Sequence, residues 1–154
     1  SKLHESVTFH QIGAKMLTGD KSTGWFSTSM PSLMKWRNDE RVDILKMDCE
    51  GCEYSLAKDI AFEDPSFFDK VGQFAVEVHL SKVWLNSTEH LYSLGKLFQY
   101  LEDAGFRLAH STVEGCATYD EAPGYMETLA EVGIPCGDGK SCHNYLFARP
   151  ETAR

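Results

Sequence analysis

Two short runs dominate the hydrophobic pattern of the chain. One covers residues 42–48, with Val42, Ile44, Leu45 and Met47, and the other residues 73–80, with Phe74, Val76, Val78 and Leu80. Apolar residues are nearly continuous at the centre of both, as in strands covered on both faces of a parallel sheet. Between them, Leu56, Ala57 and Ile60 share one face of a predicted helix over residues 53–60, followed by a turn or short helix at Pro65 to Phe68. The three pieces make a β-α-β unit, whose crossover is right-handed.

Beyond residue 80, Asn86 to Glu89 offers a helix N-cap. Leu91, Leu94, Leu97, Phe98, Leu101 and Ala104 then recur at helical spacing up to Gly105. Residues 106–116 alternate loosely as a strand. Residues 117–140 read as a loop region with a helix near 125–132, and residues 143–148 close the chain as a strand antiparallel to the one before. Upstream, residues 7–13 read as a strand, the Gly- and Ser-rich residues 18–29 as a loop, and residues 31–37 as a short helix beginning with Pro31. No repeat, low-complexity tract or linker interrupts this pattern, so one layered α/β domain spans residues 1–154.

Composition narrows the function. At 42% hydrophobic and 25% charged, the chain of 154 residues lies in the globular class and buries enough surface to fold without a metal or disulfide. Fifteen Lys and Arg face 23 Asp and Glu, for a net charge of -8, and the cations are scattered. This excludes a duplex nucleic-acid binder, which needs clustered cations to neutralise phosphates. No run approaches the roughly 20 apolar residues that span a bilayer. The start at Ser1 is what processing or truncation leaves, so the compartment is not readable from this end. Cys49, Cys52, Cys116, Cys136 and Cys142 form an odd set of five, without the two paired spacings of a structural zinc site; a disulfide from Cys116 to Cys136 or Cys142 and a set of buried thiols are both open.

The densest polar cluster, Asp48-Cys49-Glu50-Gly51-Cys52-Glu53, follows a buried strand and precedes a helix. In open parallel sheets, ligands bind beyond the carboxyl ends of the strands, so these acids stand where a site is expected. The plain alternative is that Glu50 and Glu53 cap the helix while Asp48 is solvated. On the neighbouring strand the period of two turns Glu77 and His79 to the same side. Beside Asp48 and Glu50 they form a general-base or divalent-cation candidate. Cys49 and Cys52 match a redox spacing, but the surrounding acids should raise their thiol pKa values, against reactivity. Asn86-Ser87-Thr88 fits a glycosylation acceptor and doubles as the helix cap.

The run from Val42 to Tyr54 resembles the central motif of the FkbM-type methyltransferase family, in which an apolar strand ends in Lys, an apolar residue, Asp, any residue, Glu, Gly, any residue and Glu. Lys46, Asp48, Glu50, Gly51 and Glu53 all match. Glu77-Val78-His79 is similar to the end of the family's next strand, and the segments around Gly105 and Asn144 to Ala148 to its C-terminal part; the likeness covers about residues 7–149. The resemblance implies a doubly wound, mostly parallel Rossmann-like sheet with a C-terminal antiparallel strand pair. It also implies S-adenosylmethionine as cofactor and methyl transfer to a hydroxyl of a small molecule or glycan. Carried over by position, residues 7–12 are the family's third strand, with Ile12 and Gly13 near the adenine. Asp48 falls beside the cofactor's methionine part, and Asp48, Glu50, Glu77 and His79 form the catalytic set, with His79 the better base because its pKa lies near neutrality.

The family's first strand, glycine-rich turn and second-strand acid should precede Val7, where only six residues stand. Those parts supply the backbone approach to the cofactor and the ribose contact. A longer chain or a partner subunit supplies them and covers the open sheet edge, or the domain is a non-catalytic methyltransferase-like assembly module. A metal-binding domain using Asp48, Glu50, Glu77 and His79 is the third reading.

Overall fold

A computed structural model describes residues 6–10, 12–14, 27–49, 51–80, 88–114 and 142–150. In chain order the elements are β1 (Gly13–Ala14), β2 (Ser27–Thr28), α1 (Met30–Arg37), β3 (Val42–Met47), α2 (Glu53–Glu63), a 3-10 turn (Phe67–Lys70), β4 (Val71–His79), α3 (Thr88–Asp103), β5 (Arg107–Glu114) and β6 (Cys142–Ala148). The expected helix near 125–132, its loop, Cys116 and Cys136 lie outside the described residues, as does the possible glycosylation site at Asn86.

Four strands form a mixed sheet in the order β3-β4-β6-β5. β3 and β4 run parallel, with Leu45 beside Phe74 and Met47 beside Val76. β6 lies antiparallel between β4 and β5, so the expected β-α-β unit and closing antiparallel pair are both present. The three helices start and stop for local reasons. Ser29 caps α1, its Oγ accepting from Ser32 N–H at 3.2 Å, with Pro31 in the first turn. At the end of α3 Gly105 takes φ +82°, and Gly105 N–H and Phe106 N–H donate to the carbonyls of Glu102 and Leu101, both at 2.9 Å. That pairing satisfies carbonyls which the helix end leaves without a partner.

One face of the sheet presents Leu45, Met47, Phe74, Val76 and Val78 to Leu56 and Ile60 of α2 and Leu94, Leu97 and Leu101 of α3 in a continuous core. Phe98 of α3 packs on Tyr145 and Phe147 of β6. The opposite face carries Ile44, Lys46, Gln73, Ala75 and Leu146, with Ile44 63% exposed. The described helices therefore form one layer, and a second layer, as a doubly wound sheet requires, is not among the described residues. None of the described helices is long and apolar enough to cross a membrane.

The upstream strand needs correction. Residues 7–10 form no strand; Val7 is 51% and Phe9 72% exposed, and among the described residues of this segment strand pairing is confined to Gly13 and Ala14, which lie parallel to Ser27 and Thr28. Alternation alone does not make a strand when no neighbour among the described residues accepts its ladder and no core among them takes its apolar side. β2 also falls inside the segment expected to be loop.

Candidate active site

The parallel register fixes the site. Because Met47 stands beside Val76 at the carboxyl end of β3, Asp48 emerges next to Glu77, and the two carboxyl groups share a hydrogen bond. Period two then places His79 on the same side of β4 as Glu77, and donor atoms of Glu77, His79 and Cys142 all lie within 4.8 Å of one another. Asp48 stays half-exposed and is salt-bridged to Lys46 at 3.3 Å. Glu50 lies outside the described residues. Ile12 and Gly13 sit at the two-stranded β1-β2 pair, in a separate sheet from Asp48.

At the centre of the rim stands a residue that the sequence marks as a family-motif match and helix cap but not as part of the catalytic set. Glu53, the first residue of α2, is fully buried at 0% exposure. Its Oε1 accepts from the His79 backbone N–H at 3.0 Å and faces the His79 ring Nδ1 at 3.1 Å, while Oε2 accepts from Gly51 N–H at 2.9 Å. Gly51 reaches this geometry at φ +112°, a conformation open to glycine and strained for other residues. One carboxylate thus ties the β3-α2 loop to the end of β4. Tyr54 adds a second tie by donating its hydroxyl to the His79 carbonyl. The available sequence signal for Glu53 was its match to the last Glu of the family motif; its burial, shared with Cys52, Tyr54, Ser55, Leu56 and Ala57, leaves this first turn no solvent face on which a simple cap would sit and is a product of packing.

Electrostatics follow from these contacts. Burial pulls the His79 imidazole pKa down, but the hydrogen bond and charge of Glu53, helped by Glu77 and Asp48, outweigh it, and the net direction is up. Burial, then the charge of Asp48 and the hydrogen bond with it, raise the Glu77 pKa. Burial and the charge of Glu53 push the Tyr54 phenol far above its usual value, so it remains a donor at neutral pH. His143, one strand over, is held below the ordinary imidazole range by burial, and its Nε2 has no hydrogen-bond partner among the described residues. With Nδ1–H given to Glu53, Nε2 of neutral His79 is the nitrogen that carries the lone pair, the arrangement in which a carboxylate orients an imidazole base.

The two cysteines of the loop are joined. Cys49 and Cys52 form a disulfide across a Cα separation of 5.5 Å, and Cys142 is also disulfide-bonded, to a partner outside the described residues. The expectation of unreactive thiols at Cys49 and Cys52 is thus corrected to a disulfide between them, and a bond at Cys142 is among the pairings left open by the sequence.

A parallel strand pair with acids at its tips, crossed over by a helix and extended by an antiparallel strand, is the architecture of a methyltransferase-like α/β domain. Residues 27–108, more than half of the chain, match the model of the methyltransferase FkbM domain, and the chain belongs to that family. Neither a curated protein nor a solved structure matches it.

Proposed function

We propose that this domain transfers a methyl group from S-adenosylmethionine to a hydroxyl oxygen of a small molecule or glycan, with the rim formed by Asp48, Glu77 and His79 as its acceptor end. The observation that carries the reading is the fully buried Glu53, which holds the imidazole of His79 beside two carboxyl groups at adjoining strand tips. An acid-rich rim suits a cofactor that is positive at its sulfonium and ammonium groups, and the half-exposed Asp48 is the residue here that would meet it, with Ile12 and Gly13 assigned to the adenine by family position. The cofactor supplies the activated methyl group. His79 Nε2 takes the proton of the acceptor hydroxyl, Glu53 keeps the ring oriented and stabilises its charge, and Asp48, with Glu50, orients the acceptor.

In the full-length protein, His79→Ala should lower turnover about 10²–10⁴-fold, the usual contribution of a positioned base, with S-adenosylmethionine affinity unchanged in calorimetric titration. Unchanged turnover rejects the base. Absence of any cofactor binding by the unaltered protein favours the second reading, a non-catalytic module in a larger assembly. A specific feature supports that reading: among the described residues β3 pairs only with β4, leaving one edge of the sheet without a ladder partner and Ile44 exposed beside it. Under either reading, a preceding segment or a partner protein covers this edge.

A further inference from the structure

The described cysteines gather at this same rim, and two of them face the buried carboxylate. Cys49 Sγ stands 3.9 Å from Glu53 Oε2, and Cys52 Sγ, bonded to Cys49 in the oxidised loop, lies with both inside 4.8 Å. In a tetrahedral zinc site with metal–sulfur bonds of about 2.3 Å and metal–oxygen bonds of about 2.0 Å, a sulfur and an oxygen ligand are roughly 3.5 Å apart. The observed spacing is within half an ångström of that requirement. The carboxylate is also held as a ligand should be: Oε1 is fixed by the His79 Nδ1 and backbone N–H, and Gly51 N–H orients Oε2. Hydrogen bonds of this kind to a ligating carboxylate set its direction and raise affinity.

We propose that, once its disulfide is reduced, this loop is a zinc-class metal site with Cys49 Sγ, Cys52 Sγ and Glu53 Oε2 as ligands and a fourth position left open. Two thiolates select zinc or cobalt over magnesium or calcium, which prefer all-oxygen shells. A dithiol reductant delivers two electrons to the Cys49–Cys52 bond and is itself oxidised to a disulfide, and the two sulfurs take up two protons as thiols. The metal then displaces those two protons to solvent as it binds the thiolates. Each thiol must give up its proton to become a ligand, so the affinity rises with pH. The oxidised loop offers no thiolate and does not bind in this way. The site stands independently of the methyl-transfer reading.

The test is titration of the full chain with Co2+, with and without prior reduction by a non-coordinating phosphine. The reduced protein should show a thiolate-to-cobalt charge-transfer band saturating at one ion per chain and discharged by Zn2+, and the oxidised protein none. His79→Gln, which loosens Glu53 without removing a ligand, should weaken binding about 10–100-fold while keeping the band. In the unaltered reduced protein, Zn2+ should protect Cys49 and Cys52 together from alkylation, read by peptide mass mapping, which requires no variant to fold. Absence of the band on reduction, its survival in Cys49→Ser/Cys52→Ser, or alkylation unaffected by Zn2+ overturns the proposal. Neither cofactor nor acceptor enters these measurements, so their outcome is separate from that of the transferase assay.

Discussion

Helix α2 has a glutamate at each end, and the structure uses them in opposite ways. Glu63, at the carboxyl end, is exposed and receives the hydroxyls of Ser29 at 2.5 Å and Ser32 at 2.6 Å beside an open groove of about 780 Å³ lined by Lys35, Asp39 and Lys70 among others. Glu53, at the amino end, receives two backbone N–H groups and an imidazole with no exposure to water. Both tie α2 to a neighbouring segment. Only at Glu53 does burial turn the tie into an obligation, because a partner removed there leaves donors without solvent to replace it. The same residue type thus serves as a surface clamp at one rim and as the keystone of the candidate active site at the other.

The largest effect should come from breaking the buried end. Glu53→Ala strands two backbone donors and the His79 ring, and should cost about 3–5 kcal/mol in urea unfolding, a large share of the roughly 5–15 kcal/mol that holds an ordinary domain folded. A loss below about 1 kcal/mol would make the two ends of α2 equivalent. Tyr54→Phe removes the second tie and leaves the His79 carbonyl without its hydroxyl donor, for an expected loss of about 1–2 kcal/mol by the same measurement.

A smaller effect concerns pH. His79 titrates above its unfolded value in the native state. Its contribution is therefore fully present below the ordinary imidazole pKa near 6.5 and is lost as pH rises through the raised native value. Glu77, also raised, contributes with the same sign in the window above the ordinary carboxylate range. Unfolding midpoints should fall as the pH is taken from about 6.5 upward, and His79→Gln should flatten that slope. Turnover should run the other way, rising through the same window as the imidazole loses its proton. Parallel falls in both would contradict His79 as the base. The least effect is expected at Glu63→Gln, within about 0.5–1 kcal/mol of the parent, since an exposed carboxylate exchanges its hydroxyl partners for water.

Most of the sheet is legible in the order of the residues. The nearly continuous apolar centres of β3 and β4, the period of α3 ending at Gly105, and the closing β6 depend on local pattern, and local pattern is what sequence carries. The adjacency of Asp48 to Glu77, and the common side of Glu77 and His79, follow from two parallel strands and a period of two. Failures occur where a pattern lacks a neighbour. Residues 7–10 alternate like a strand but have no ladder beside them among the described residues, and the acids of the β3-α2 loop suggest inert thiols at Cys49 and Cys52, which instead close a disulfide.

By itself the sequence determined which residues stand at the strand tips, because periodicity and the direction of a parallel crossover are properties of the chain's own order. Tertiary structure alone decided what Glu53 does. A glutamate at the start of a helix reads the same whether water or protein surrounds it, and only the packing of Tyr54, Leu56 and the end of β4 around it removed the water. Once dry, that carboxylate had to find donors, and it found them on Gly51 and His79, residues separated from it by 2 and 26 positions along the chain.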